Sequence, residues 1–264
     1  MRRCPICDSD DYVFELKEKE FILVKCKNCS LIYLQNPPDE SEIYEDYYEI
    51  EYKGIDYNET SNYPLLKEIF AINSQRKREI LKFKKSGSLL DIGCGSGLFL
   101  KSVSDVFNVS GIDVSKKSIN FARDEFGLDV SNKSLDDLIS DEKKFDIITL
   151  WHVLEHFNNP VEELKKIRNL LNENGVLIIE VPNWDSIKFQ MSGKKWKGGN
   201  HPLYHRSFFT HDTLKKLFQT SGFGELKNLN LSYEIPGKNG LYNFSKKIFN
   251  KINKDAFLNF IIYK

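Results

Sequence analysis

Apolar and polar positions alternate along this chain with two periods. From about Tyr63 to Phe83 apolar residues return at helical spacing (Leu65, Leu66, Ile69, Ile72, Ile80, Leu81), which predicts a helix. Short apolar runs then predict strands ending at Asp91 and Asp113, a brief one near Leu128–Val130, and longer ones at Phe145–Leu150 and Val176–Val181. Between them lie helical patterns from Ser115 to about Phe126 and from Val161 to Leu171. A further helix is predicted over Thr210–Thr220. Ser221-Gly-Phe-Gly then opens toward a sixth strand, and Phe257–Tyr263 reads as the last. Strand and helix alternate as a doubly wound sheet requires.

The first strand runs straight into Asp91-Ile-Gly93-Cys94-Gly95-Ser-Gly97. Glycines at alternate positions let the backbone turn sharply and approach a ligand that a Cβ would exclude. Asp113, ending the next strand, is placed to accept hydrogen bonds from a ribose. Dinucleotide enzymes favour G-x-G-x-x-G, because a helix N-terminus must hold a pyrophosphate. Here the spacing is G-x-G-x-G preceded by an acid. S-adenosylmethionine (SAM) carries no phosphate but has an amino acid group and a sulfonium cation, which suit an acid beside open backbone. At these residues the chain resembles the class I SAM-dependent methyltransferases. NAD binding is the competing reading.

Composition narrows the setting. The chain has 264 residues, 41% hydrophobic and 29% charged, as in an ordinary globular protein with room for one α/β domain and a small appendage. It has no apolar run of transmembrane length, and Met1-Arg2-Arg3-Cys4-Pro5 lacks a signal-peptide core, so no membrane insertion and a cytoplasmic location are expected. The zero net charge hides an asymmetry. Residues 188–264 hold 14 Lys and Arg against 4 Asp and Glu. This basic third can attract an anionic acceptor or simply be a solvated surface. Leu241–Asn253 reads as a basic amphipathic helix, for a surface or for a membrane face.

Four of the five cysteines form Cys4-x-x-Cys7 and Cys26-x-x-Cys29, with 18 residues between the pairs. Two thiolate pairs on tight turns close a tetrahedral Zn²⁺ site, and a hairpin this small needs a metal to fold. Free reduced thiols are the alternative. The expected divisions are a zinc ribbon at 1–36, an acidic tyrosine-rich connector and lead-in helix at 37–84, and the α/β domain at 85–264 with a lid loop at 183–207. The connector tyrosines can close over a ligand or pack between domains. Cys94 reads as a small residue beside the cofactor.

Trp151-His152-Val153-Leu154-Glu155-His156 follows the fourth strand, where ligands sit in an open parallel sheet. On a helical turn His152 and His156 would be i,i+4 neighbours. His-x-x-Glu-His also matches an inverted zinc-peptidase motif, but Asn158-Asn159-Pro160 breaks the long helix that motif needs. In methyl transfer the sulfonium already activates the methyl group, so the enzyme aligns the attack and removes a proton. His152 and His205 are the candidate bases, with Glu155 and His156 beside them, and a hydrogen-bonded structural role is the alternative for each histidine.

Taken together, the paired Cys-x-x-Cys, D-I-G-C-G-S-G, W-H-V-L-E-H, V-P-N and the His-rich segment before a final Gly-Phe resemble the zinc-ribbon methyltransferases of surface-polysaccharide and natural-product clusters, related to ubiquinone-type O-methyltransferases. That resemblance covers nearly the whole chain. It implies a Rossmann-like sheet of about seven strands, mostly parallel with the last antiparallel. It also implies that Asp91, Gly93, Gly95 and Gly97 contact the methionine part of SAM. Asp113 would meet the ribose hydroxyls, Leu135 the adenine, and Leu150 with Trp151 the cleft, with Cys94 and Val114 also counted among the cofactor-binding residues. In the quinone branch two glutamates and a histidine in the turn are associated with a divalent cation. His152 replaces the first glutamate, so no catalytic metal is expected. The Asp/Asn-Pro-Pro-aromatic motif of base-amine methylation is missing, as is a Pro-Cys nucleophile. The ribbon's acidic neighbourhood opposes phosphate binding, so nucleic acid is not an expected partner. The expected acceptor is a small surface-glycan or secondary-metabolite precursor that can carry an anionic group. O-methylation is favoured over C- or N-methylation, and a silent SAM-binding scaffold is the non-enzymatic alternative.

Overall fold

The computed structural model describes residues 2–38, 64–192, 204–224, 226–229, 231 and 254–264. The tyrosine-rich connector and the Leu241–Asn253 segment lie outside the described residues. Three strands open the chain: β1 (Tyr12–Glu18), β2 (Phe21–Cys26) and β3 (Ile32–Leu34). The α1 helix (Pro64–Phe83) leads into β4 (Ser88–Ile92), α2 (Leu98–Val103), β5 (Asn108–Ile112), α3 (Lys116–Phe126) and β6 (Asp129–Ser131). Next come α4 (Leu135–Ser140), β7 (Phe145–Trp151), a 3₁₀ turn (Leu154–His156), α5 (Pro160–Leu170) and β8 (Leu171–Pro182). The chain continues with α6 (Ile187–Ser192), β9 (Ser207–Phe208), α7 (His211–Thr220), β10 (Leu226–Asn228) and β11 (Phe257–Tyr263).

Seven strands form the main sheet in the order β10-β11-β8-β7-β4-β5-β6. The five from β8 to β6 are parallel, and β11 runs antiparallel to both neighbours. Successive strand residues bury opposite faces. Leu90, Ile148 and Ile179 pack with Leu138, Ile167 and Leu217 on one side. Leu89, Ile147 and Ile178 pack with Ile80, Leu100 and Ile119 on the other. The chain order reverses between β4 and β7, which opens the ligand crevice of such sheets at their carboxyl ends.

The ribbon does not end where the sequence pattern stops. Its sheet has four strands, β1-β2-β3-β9, and the fourth comes from the far end of the expected lid loop. Ile32 pairs with Phe208 and Tyr33 with Ser207, and the Leu34 amide donates to the Arg206 carbonyl at 3.0 Å. Cys4, Val24, Leu31 and Tyr33 share one apolar cluster with Leu214 and Phe218 of α7. Ribbon and sheet are therefore packed as one body. Of the expected lid, α6 is helical, and Trp184 packs tilted against Phe189 and edge-on against Phe208 at ring distances of 4.3 and 5.1 Å.

Candidate functional site

Asp91 and Thr149 face each other in the β4–β7 register, and the Thr149 hydroxyl donates to Asp91 Oδ1 at 2.6 Å. Burial raises the Asp91 carboxyl to about 7, against the opposing pull of that hydrogen bond and of Arg76. After β4 the chain turns on left-handed glycines. A Cβ on Gly93 (φ 72°) would collide with Val153 Cγ2, and one on Gly97 (φ 76°) would sit 2.6 Å from Leu128 Cδ1. Asp113, just past β5, spans the same turn: its Oδ2 accepts from Gly95 N and its Oδ1 from Ser115 N, both at 2.8 Å. Asp113 thus braces the glycine loop.

A cavity of about 470 Å³ opens beside these residues. Gly93, Asp113, Val114 and Leu135 line it, joined on the far side by His156 and Asn158. Leu135 begins α4 where Ser134 and Asp137 form a capping box, so this wall of the cavity is fixed by a helix cap. Leu150 is fully buried in the core and does not line this cavity. Neither does Trp151, which lies under the Arg76 guanidinium at 4.1 Å from the ring centroid, with Phe99 edge-on at 5.2 Å. Cys94 is buried, and burial drives its thiol far above the ordinary range, which suits a packing role and not a nucleophile.

The expected helical turn through His152 does not form. His152 has φ 60°, a left-handed conformation unusual for a residue with a side chain, and only Leu154–His156 are helical. The His152 amide donates to the Glu180 carbonyl at 2.9 Å, and its ring rests edge-on against Phe257 at 4.9 Å. Both ring nitrogens face carboxylates, Nε2 at 3.0 Å from Glu180 and Nδ1 at 3.6 Å from Glu155. Burial alone would lower its pKa, but the two acids raise it to about 9. The ring therefore carries both protons at neutral pH.

Glu155 is 1% exposed, and neither carboxylate oxygen has a partner within hydrogen-bonding distance. Burial pushes its pKa up, but His152, His156 and His205 outweigh that and hold it below the usual value. His156 and His205 meet edge to face at 5.0 Å, and His156 Nδ1 donates to the Tyr204 carbonyl at 3.0 Å. Nε2 then holds the lone pair in the neutral ring. Ligand atoms of Glu155, His156 and His205 lie within 4.8 Å of one another, as do the four Sγ atoms of Cys4, Cys7, Cys26 and Cys29. In the cysteine group Cys4–Cys29 and Cys7–Cys26 are 3.4 and 3.5 Å apart. A tetrahedron with Zn–S bonds of about 2.3 Å has edges of roughly 3.8 Å, so this set fits zinc.

Two residues of the candidate site escaped the sequence reading. Glu180, 1% exposed on β8, accepts from Arg76 Nη2 at 2.5 Å as well as facing His152. Its signal was an acid inside the otherwise apolar run Val176–Val181. Arg76 had none, because a charged residue on an amphipathic helix ordinarily faces water.

A family model described as a methyltransferase domain matches residues 65–226. The ubiquinone biosynthesis O-methyltransferase of Glaesserella parasuis serovar 5 (strain SH0165) is 35% identical over 106 residues, covering 36% of this chain and 45% of that protein. The mitochondrial enzyme of the same name from Saccharomyces cerevisiae (strain ATCC 204508 / S288c) is 32% identical over 158 residues, covering 53% and 48%. The chain thus spans less than half the length of these curated relatives. Among solved structures, the plantazolicin methyltransferase BpumL in complex with SAH matches at TM-score 0.53 and 22% identity, over 75% of this chain and 84% of that one. A SAM-dependent methyltransferase from Archaeoglobus fulgidus matches at TM-score 0.54 and 21% identity, over 77% and 100%. At these identities the structural matches establish the shared fold.

Proposed function

This chain belongs to the methyltransferase-domain family, and from that premise we propose that it moves a methyl group from SAM to a hydroxyl of a small anionic acceptor. The observation that carries the reading is the Asp113 carboxylate, buried at the end of β5, braced on the glycine loop and facing the cavity. There the adenosine lies between Val114 and Leu135, with the ribose hydroxyls on Asp113. The methionine end follows the Gly93–Gly97 turn, its ammonium beside Asp91. No pyrophosphate cradle is needed, which favours SAM over NAD.

The acceptor oxygen attacks the methyl carbon as the carbon–sulfur bond breaks, leaving S-adenosylhomocysteine, and the hydroxyl proton goes to a base. His152 already carries both ring protons and has no lone pair to offer, so it orients and His205 is the base. Glu155 Oε1, 4.0 Å from His205 Nε2, stabilises the imidazolium that forms. Oxygen as the methylated atom is supported by the O-methyltransferase names of the curated relatives. A nucleotide-activated or phosphate-bearing glycan precursor suits the basic C-terminal third. The four-cysteine site takes a structural zinc. Among the described residues no helix is long and apolar enough to cross a membrane.

A second reading rests on the Glu155 carboxylate, buried with neither oxygen in a hydrogen bond. Glu155, His156 and His205 would hold a divalent cation that lowers the acceptor hydroxyl's pKa. The lid residue His205 takes the place left when His152 replaced an acid. Turnover measured with a panel of hydroxylated phosphates and carboxylates, by S-adenosylhomocysteine release, tests the function. SAM binding without release for any of them would reduce the protein to a scaffold. If a chelator that spares the ribbon zinc abolishes release and Mn²⁺ restores it, the cation reading replaces the histidine base.

A further inference from the structure

The ribbon and the main sheet meet at two guanidinium groups that pair with no acid among the described residues. Arg206, between His205 and β9, is fully buried. Its Nη2 donates to the Pro38 carbonyl at 2.9 Å, while Nε and Nη1 have no partner. Arg2 lies beside it and donates to the carbonyls of Leu34 at 3.2 Å and Asn158 at 2.5 Å. Burial first, and then the Arg206 charge, lower the Arg2 pKa, as expected for neighbouring cations away from water. Gln35 accepts from the Arg2 amide through Oε1, which turns its Nε2 inward, buried and without a partner. These three side chains hold three unused buried donors and two positive charges, and no salt bridge to either arginine occurs among the described residues.

Buried donors are almost always satisfied, and a buried cation is nearly always matched by an anion. The position says which anion. The Arg206 amide donates to the Glu155 carbonyl at 2.8 Å, and Arg2 grips Asn158, which lines the cavity. The pair therefore backs the turn that carries Glu155 and His156.

We propose that Arg206, Arg2 and Gln35 Nε2 form an oxyanion site that takes a phosphate or carboxylate group of the methyl acceptor. This deepens the methyltransferase reading and rests on it. The bound oxyanion occupies Nε and Nη1 of Arg206 and Gln35 Nε2, and Arg206 ties its position to that of His205 and Glu155. Distance from this site to the reacting oxygen then selects which hydroxyl is methylated.

The test uses the full-length chain, with inorganic phosphate and acetate as probes followed by calorimetry and by the thermal midpoint. Saturable binding to wild type is expected. Arg206→Leu, which fills the space without charge, should weaken it by about 100-fold, as losing two charge-assisted hydrogen bonds implies. Arg206→Lys keeps the charge with fewer directed donors and should weaken it about 10-fold. Whichever probe binds tighter names the anionic group. No saturable binding of either probe to wild type, or equal binding to folded wild type and both variants, overturns the proposal. SAM titration of the same samples separates this failure from failure of the methyltransferase reading, since all three proteins should bind SAM alike.

Discussion

Replacing Glu180 by Gln preserves shape and removes one charge from the most buried ion pair of the site. Glu180 Oε1 accepts from Arg76 Nη2 at 2.5 Å and faces His152 Nε2 at 3.0 Å, and the Arg76 side chain is 11% exposed. Deleting one partner of such a pair costs roughly 3–5 kcal/mol. The Gln oxygen still accepts one bond, so the expected loss is about 2–3 kcal/mol. At roughly 2–4 °C per kcal/mol for a chain of this size, the thermal midpoint should fall by about 5–10 °C. Chemical denaturation at pH 7 gives the free energy directly. Arg76→Met with Glu180→Gln removes both charges and should recover part of the loss, a positive coupling in a double-mutant cycle. A Glu180→Gln loss below about 0.5 kcal/mol, or purely additive variants, would refute the idea that this pair braces the His152 turn and the Trp151 platform.

Gly97→Ala forces a side chain into a left-handed position against Leu128 and Ala122, and should cost about 1–3 kcal/mol and most SAM binding, read by denaturation and calorimetry. Burial raises Asp91 from 3.8 to about 7, so its share of apo stability is complete below 3.8 and disappears as pH rises through 7. Cationic SAM prefers the ionised acid, so affinity should climb with pH up to about 7 and then level off, and Asp91→Asn should flatten that profile. Mass spectrometry under native conditions should find one zinc per chain. Cys4→Ser with Cys29→Ser should remove it, lower the thermal midpoint and slow methyl transfer more than it weakens SAM binding, because His205 lies two residues before β9, which pairs with the ribbon edge. Equal turnover with an empty ribbon would separate the two halves.

Local signals explain what was legible. The glycine spacing, Asp91 and Asp113 each report a conformation or charge that the immediate chain requires, and the structure places them together. The cysteine pairs were legible for the same reason. The left-handed His152 was not, because its conformation is set by Glu180 across the sheet and not by its neighbours in sequence. Leu150 was read as cleft-lining, yet strand alternation turns it into the core. The two-residue strand β9 carries too little periodicity to announce itself, and its partner lies some 175 residues away. The arginine pair at the ribbon junction was equally silent, since buried and solvated arginines look alike in a sequence.

Titrating SAM into the full-length protein by calorimetry tests the central claim most directly, with NAD as the control and Asp113→Ala as the variant. The account predicts saturable one-to-one SAM binding, no NAD binding, and a loss of about 100-fold or more in the variant, as expected for charge-assisted bonds to two ribose hydroxyls. NAD binding in place of SAM, or SAM binding indifferent to Asp113, would contradict it.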